Sequence, residues 1–203
     1  MMKLYTSIKS HYARRARLAI REGGLTQQVE EIEVESIEQL VQLGVEQVGP
    51  GFKVPVLVCE DGTPLSESLI IIRYLNDLAG GSLMPKSQAA IMRALELESI
   101  ASVLTDSLYV RCGERYRREA ALQSVAIQAW EKDRTQRCYD RLNDLVAEEG
   151  EQVNLATFAI ASALDYANWR QPEDDWRNGR DALASYYDRI MQRPSFAETA
   201  LRY

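Results

Sequence analysis

A small α/β domain followed by an all-helical one is what three features of this 203-residue chain predict. Strand-like runs alternate with helical periods over roughly the first 78 residues, a Gly-Pro-Gly cluster punctuates them at 49–51, and beyond Gly80-Gly81 no convincing strand follows while apolar residues keep helical spacing.

Lys3 to Thr6 is a short strand signal. His11 to Glu22 places Tyr12, Ala16, Leu18 and Ala19 among arginines as a helix would, and Gly23-Gly24 stops it. Gln28 to Val34 alternates Val29, Ile32 and Val34 among glutamates, the pattern of a half-buried or edge strand. Ser36 precedes a short helix over Glu38 to Leu43. After the turn at Gly49-Pro50-Gly51, Val54 to Cys59 reads as a buried strand, and Asp61-Gly62 as a hairpin turn. Glu67-Ser68 caps a helix from Leu69 to about Leu78, with Ile70, Ile71, Tyr74 and Leu75 expected on its buried side. The order β-α-β-α-β-β-α makes residues 1–79 one unit.

Residues 80–87, with Gly80-Gly81, Met84-Pro85 and Ser87, read as a linker. In 88–203, Leu97, Ile100, Leu104 and Leu108 repeat at helical spacing. So do Leu122, Val125 and Ala129, then Cys138, Leu142 and Leu145, then Leu155, Phe158, Ser162 and Tyr166, and Ala182 to Met191 closes the series, for about five helices.

Composition narrows the function. With 46% apolar and 27% charged residues the chain is globular, and 30 acidic against 24 basic residues give a net charge of −6. That charge argues against nucleic acid and an anionic membrane surface as partners. Apolar runs fall far short of the ~20 residues that span a bilayer, and Met-Met-Lys-Leu-Tyr-Thr-Ser is no signal peptide, so a cytoplasmic protein is expected. Cys59, Cys112 and Cys138 are widely spaced, and His11 is the single histidine, so neither a disulfide framework nor a metal site is expected.

Pro55 interrupts a run that otherwise reads as a central strand, where it cannot donate to a ladder. A cis Val54-Pro55 bond would turn the backbone of Val54 outward to pair with an extended, peptide-like ligand; a trans Pro at an edge-strand start is the plainer alternative. Ser10 opens the first helix, where a hydroxyl and backbone N–H groups make a ready anion site.

Together these segments resemble the bacterial glutathione transferases. Lys3-Leu4-Tyr5-Thr6-Ser7-Ile8-Lys9-Ser10-His11-Tyr12 is similar to the family's opening K-L-Y-x-S-x-x-S-P-Y, and Phe52-Lys53-Val54-Pro55-Val56-Leu57 to its G-K-V-P-x-L. Glu67-Ser68 with Ile72-Arg73-Tyr74-Leu75 resembles E/D-S-x-x-I-x-x-Y-L, and weaker matches at Asn154 to Thr157 and Arg193 to Phe196 extend the likeness over the whole chain. The resemblance implies an α/β thioredoxin-like N-terminal domain followed by an all-α helical domain, a glutathione transferase fold. It implies glutathione as co-substrate, with Val54 pairing its cysteinyl unit and Glu67 and Ser68 receiving its γ-glutamyl end. Lys53 would sit near the glycyl carboxylate, beside Pro55, and Ser10 would donate to the sulfur as the catalytic group. His11, Tyr109 and Arg111 are candidates for the acceptor pocket of a small electrophile. A homodimer is implied as well, and the apolar surface of the long helices in 88–149 agrees with it.

His11 replaces the family's usual Pro, and Thr157 its usual Asp at the third position of a helix that Asn154 can still cap. An exposed His11 is expected, and Arg14, Arg17 and Arg21 read as a solvated or ion-paired face. Two other functions share these residues. One is glutathione-dependent disulfide reduction or deglutathionylation, in which a second glutathione must resolve the mixed disulfide because position 10 is not Cys. The other is a non-catalytic interaction protein of the same fold, such as the bacterial starvation-response factor that works on RNA polymerase.

Overall fold

Alternation in the first strands decides which side chains line the core of the α/β unit. The structure, a computed structural model, describes residues 1–202. Strands β1 (Met2–Thr6), β2 (Val29–Glu33), β3 (Val56–Val58) and β4 (Pro64–Ser66) form one sheet among the described residues, in the order β2-β1-β3-β4. β1 and β2 are parallel and the other pairs antiparallel. Helix α1 (His11–Glu22) connects the parallel pair, α2 (Ile37–Leu43) and the one-turn α3 (Val45–Val48) lead to β3, and α4 (Ser68–Leu78) follows β4. On one side, Tyr5, Val34, Leu40, Val48 and Val56 form a cluster, with the Gln47 amide donating to the Tyr5 hydroxyl at 2.8 Å. Leu4 and Leu57 face each other across the β1–β3 ladder and are fully buried. Gly62 has φ 87°, which the β3–β4 turn requires and a side chain would oppose.

Three expectations change here. Ile70 is 54% exposed, and Ile72 is buried in its place with Ile71 and Leu75, so the buried face of α4 is turned by one position. β3 begins at Val56, because Pro55 has no N–H to continue the ladder. Residues 194–202, including α9 (Pro194–Glu198), group with the first unit and not with the helical one, in which the expected span 88–203 places them. Arg14, fully buried on α1, explains this. Its guanidinium donates to the Phe196 carbonyl at 3.0 Å and to Thr199 Oγ1 at 3.5 Å, and the Ser195 hydroxyl donates to Glu22. Arg17 pairs with Glu31 at 2.9 Å, and Arg21 with Glu31 and Glu198. Arg17 and Arg21 are ion-paired as expected, but Arg14 and Arg17 are buried and not solvated.

The second unit, 87–193, is built on α5 (Gln88–Tyr116), α6 (Val125–Val146), α7 (Leu155–Arg170) and α8 (Asp181–Met191). From Leu155 to Leu164 every residue of α7 is buried, which makes it the core helix. Its N-terminus carries a complete capping box: Asn154 Oδ1 accepts the Thr157 N–H at 3.3 Å and Thr157 Oγ1 accepts the Asn154 N–H at 3.2 Å, so the hydroxyl takes the part of a carboxylate. The expected stripe Leu122, Val125, Ala129 is a correction. Leu122 sits in a 3₁₀ turn and all three are exposed, because α6 begins only at Val125. No helix among the described residues is long and apolar enough to cross a membrane.

Candidate functional site

The antiparallel registers bring three chain segments to one end of the sheet. Tyr5 pairs with Val56 and Val56 with Ser66, so the residues after β1, before β3 and after β4 leave the ladder together. Those residues are the loop to Ser10, the Lys53-Val54-Pro55 run, and Glu67-Ser68.

Ser10 is the N-cap of α1, and its Oγ accepts the Ala13 N–H at 3.1 Å. A hydroxyl has one proton and two lone pairs, so capping with a lone pair leaves the O–H proton for another acceptor, and no residue among those described takes it. The loop ahead of it is pinned: both Glu33 oxygens accept the Ile8 N–H, at 3.0 and 3.2 Å, the Ile8 carbonyl accepts the Arg202 N–H at 3.3 Å, and Ser10 N–H donates to the Ser7 carbonyl at 3.0 Å. Sequence reasoning passed over Glu33 and Arg202, since no local pattern marks a glutamate whose partner lies 25 residues earlier. The expected exposed His11 is corrected by its placement: it is buried, with its ring centroid 4.3 Å from that of Tyr12. As the first residue of α1 it turns into the unit instead of toward solvent.

The Val54-Pro55 peptide is cis, and neither the N–H nor the C=O of Val54 enters a backbone hydrogen bond among the described residues. Pro55 is buried and Lys53 exposed. Glu67 has φ 74° and ψ 117°, a conformation a non-glycine residue adopts only when its surroundings impose it. In it, the Glu67 carboxylate caps α4, accepting the Leu69 N–H at 3.4 Å and the Ser68 hydroxyl at 3.2 Å. Glu67 is exposed while Ser68 is buried. A carboxylate open to solvent beside a positive helix end presents a donor and an acceptor surface at one point, which suits a zwitterionic amino-acid group.

The candidates in the helical unit separate. Arg111 is buried and holds Asp174 in a fork, at 2.5 and 2.7 Å, with Thr135 Oγ1 at 3.0 Å and the Tyr139 hydroxyl 3.4 Å from the same carboxylate. Its guanidinium serves the packing of α5 against α6 and the turn after α7. Tyr109 is half-buried and accepts a hydrogen bond from Arg117 at 2.6 Å. Among the described residues no cluster of three His, Cys, Asp or Glu side chains is placed to hold a metal ion.

Comparison with known proteins agrees with this geometry. Residues 9–78 match the family described as glutathione S-transferase, N-terminal domain. An Escherichia coli K12 protein, the uncharacterized GST-like protein YibF, is 30% identical over 202 residues that cover 98% of each chain. A glutathione transferase family member from Pseudomonas fluorescens Pf-5, solved with bound glutathione, is 25% identical with a TM-score of 0.91 over 100% of both chains. A Methylobacterium radiotolerans glutathione S-transferase in complex with glutathione sulfonate is 26% identical with a TM-score of 0.88, over 100% of this chain and 95% of that one.

Proposed function

Because this chain belongs to the glutathione S-transferase family, we propose that it is a glutathione-dependent transferase, joining the glutathione thiolate to a small electrophile. The observation that carries this reading is the shared sheet end, where the Ser10 hydroxyl, the unpaired Val54 backbone and the strained Glu67 converge. Glutathione supplies what each of them lacks. Its cysteinyl unit pairs with Val54 as an added strand, its γ-glutamyl ammonium meets Glu67, and its α-carboxylate meets Ser68 and the N-terminus of α4. Lys53 holds the glycyl carboxylate.

Ser10 donates its O–H to the sulfur. At an ordinary thiol pKa of ~8.5 only about 3% is thiolate at pH 7, and lowering it by ~2 units gives about 75%, roughly a 25-fold gain. The lower basicity takes back roughly 8-fold at a Brønsted slope of ~0.45, so activation nets only a few-fold. Most of the acceleration then comes from holding thiolate and electrophile together. A C–S bond forms, the leaving group departs with its bonding pair, and the thiol proton passes to solvent. Tyr109 is our candidate on the electrophile's side.

Calorimetry with reduced glutathione and turnover of a generic aryl or benzylic halide test this. Micromolar to sub-millimolar binding with turnover is expected, and binding without turnover of any electrophile would reduce the protein to a glutathione receptor. We further propose a homodimer in the cytoplasm. Met92, Val103 and Val110, 56%, 45% and 39% exposed, recur on one face of α5 and leave a stripe for a second copy to cover. The free cysteines Cys59, Cys112 and Cys138 suit a reducing compartment. Sedimentation at micromolar concentration should give twice the chain mass, and a monomer would contradict the dimer.

A further inference from the structure

The charges where α5 and α7 end do not balance. Arg111 pairs with Asp174, Arg115 with Glu173 and Arg118 with Glu114. Among the described residues neither Arg117 nor Arg170 forms an ion pair, in a chain that carries six more negative than positive charges. Each is instead laid on aromatic rings. Arg117 lies 4.8 Å from the Tyr109 ring centroid, and Arg170 lies 3.6 Å from that of Trp169 and 5.4 Å from that of Tyr116. The Tyr116 ring against which Arg170 lies belongs to the residue just before Arg117 at the end of α5, which brings the two arginines to one part of this unit, beside the buried phenol of Tyr166. Burial and the Cys112 hydrogen bond raise the pKa of that phenol in spite of the two cations, which keeps it neutral and gives them no counter-charge.

Stacking occupies the face of a guanidinium and leaves its in-plane N–H edge for hydrogen bonds. Arg170 Nε is a buried donor with no partner, and Arg117 commits one N–H, to the Tyr109 hydroxyl. The helix C-termini contribute about half a negative charge each, less than the two full positive charges beside them. The Tyr116 and Trp169 rings complete the surface with flat apolar area.

We propose that Arg117 and Arg170 form a binding site for a planar aromatic compound bearing an oxyanion, and that the electrophile this protein conjugates belongs to that class. The second clause rests on the transferase reading above. The oxyanion docks on the guanidinium edges and the ring lies against Tyr116 and Trp169, a recognition built from preorganised forks.

The test compares 4-(chloromethyl)benzoate with its neutral methyl ester, which share one reacting carbon. In both, glutathione sulfur forms the C–S bond, the C–Cl bond breaks, and chloride leaves with the bonding pair. After correction for the uncatalysed rates, the wild type should favour the acid in kcat/KM by roughly tenfold at low salt, falling as ionic strength rises. Arg117→Gln and Arg170→Gln should each lower that acid-to-ester ratio about threefold to fivefold. Arg170→Lys, which keeps the charge but not the fork, should restore it only in part. A ratio near one in the wild type, or one that the substitutions leave unmoved, overturns the proposal. The 4-sulfonate analogue separates a carboxylate preference from a general oxyanion site. If neither acid nor ester is conjugated, the transferase reading fails by itself. Calorimetric titration with unreactive 4-methylbenzoate then decides this site: binding that Arg170→Gln weakens supports it, and no binding overturns it.

Discussion

The two proposed sites, at the sheet end of the α/β unit and at the C-terminal ends of α5 and α7, are made of different material. At the sheet end the recognising groups are largely backbone: the unpaired Val54 peptide, the N-terminus of α4 and the cap of α1, with two hydroxyls and a carboxylate added. At the helix ends everything that could meet a ligand is a side chain: two guanidiniums laid on aromatic rings, and the rings themselves. A backbone site is fixed by register and helix capping, so it survives change in most side chains. A site on helix surfaces can change its ligand one residue at a time, which is how one fold accommodates many second substrates.

The largest expected effect tests whether the ion pair beneath the helical site is purely structural. Arg111→Ala leaves the Asp174 carboxylate, fully buried, without its partner, and should cost about 3–5 kcal/mol of stability in urea unfolding. Glutathione affinity measured on the folded fraction should not move. A stable Arg111→Ala protein with altered electrophile preference would return Arg111 to the acceptor pocket and blur the distinction between the two sites.

Glu67 is the test on the other side. Glu67→Ala removes the anion we assign to the γ-glutamyl ammonium and should weaken glutathione binding roughly 30-fold, about 2 kcal/mol. Glu67→Gln keeps the acceptor for the Leu69 N–H while removing the charge, so it should fold normally and bind nearly as weakly as the alanine variant. Unchanged affinity in both would mean that backbone alone holds the tripeptide.

The same division explains what was legible in the sequence. The order of the elements in the first unit, the capped helix at Glu67-Ser68 and the special peptide at Val54-Pro55 could all be read, because Pro, Gly and capping residues each constrain the backbone by a local rule. The division into an α/β unit and a helical one followed from these rules and from helical periodicity, and the thioredoxin-like form of the first from the family resemblance. The inward turn of His11, the exposure of Ile70 and the attachment of the last segment to α1 could not be read, and the last of these depends on partners distant in the chain. Arg14 shows the reason: next to Arg15 and Arg17 it reads as one more surface cation, while in the fold it is an interior residue that donates to the Phe196 carbonyl, 182 residues away, and to Thr199. Arg117 and Arg170 carry no motif at all.

The smallest effects give the sharpest comparison, because each unit opens a helix with a side-chain cap. Ser10 caps α1 through the Ala13 N–H and Asn154 caps α7 through the Ala156 and Thr157 N–H groups. Ser10→Ala and Asn154→Ala should therefore destabilise by similar amounts, each about 1 kcal/mol by urea midpoint. Their functions should diverge. In Ser10→Ala the bound sulfur loses its O–H donor, so its pKa, followed by thiolate absorbance, should rise and turnover should fall several-fold while glutathione affinity stays nearly constant. In Asn154→Ala neither the titration nor the turnover of the folded protein should change. A loss well beyond ~100-fold in Ser10→Ala would show that the hydroxyl also orients the sulfur, since activation alone accounts for only a few-fold. Matching titrations in the two variants would leave Ser10 a helix cap like Asn154, and pass the thiolate to the backbone N–H groups that begin α1.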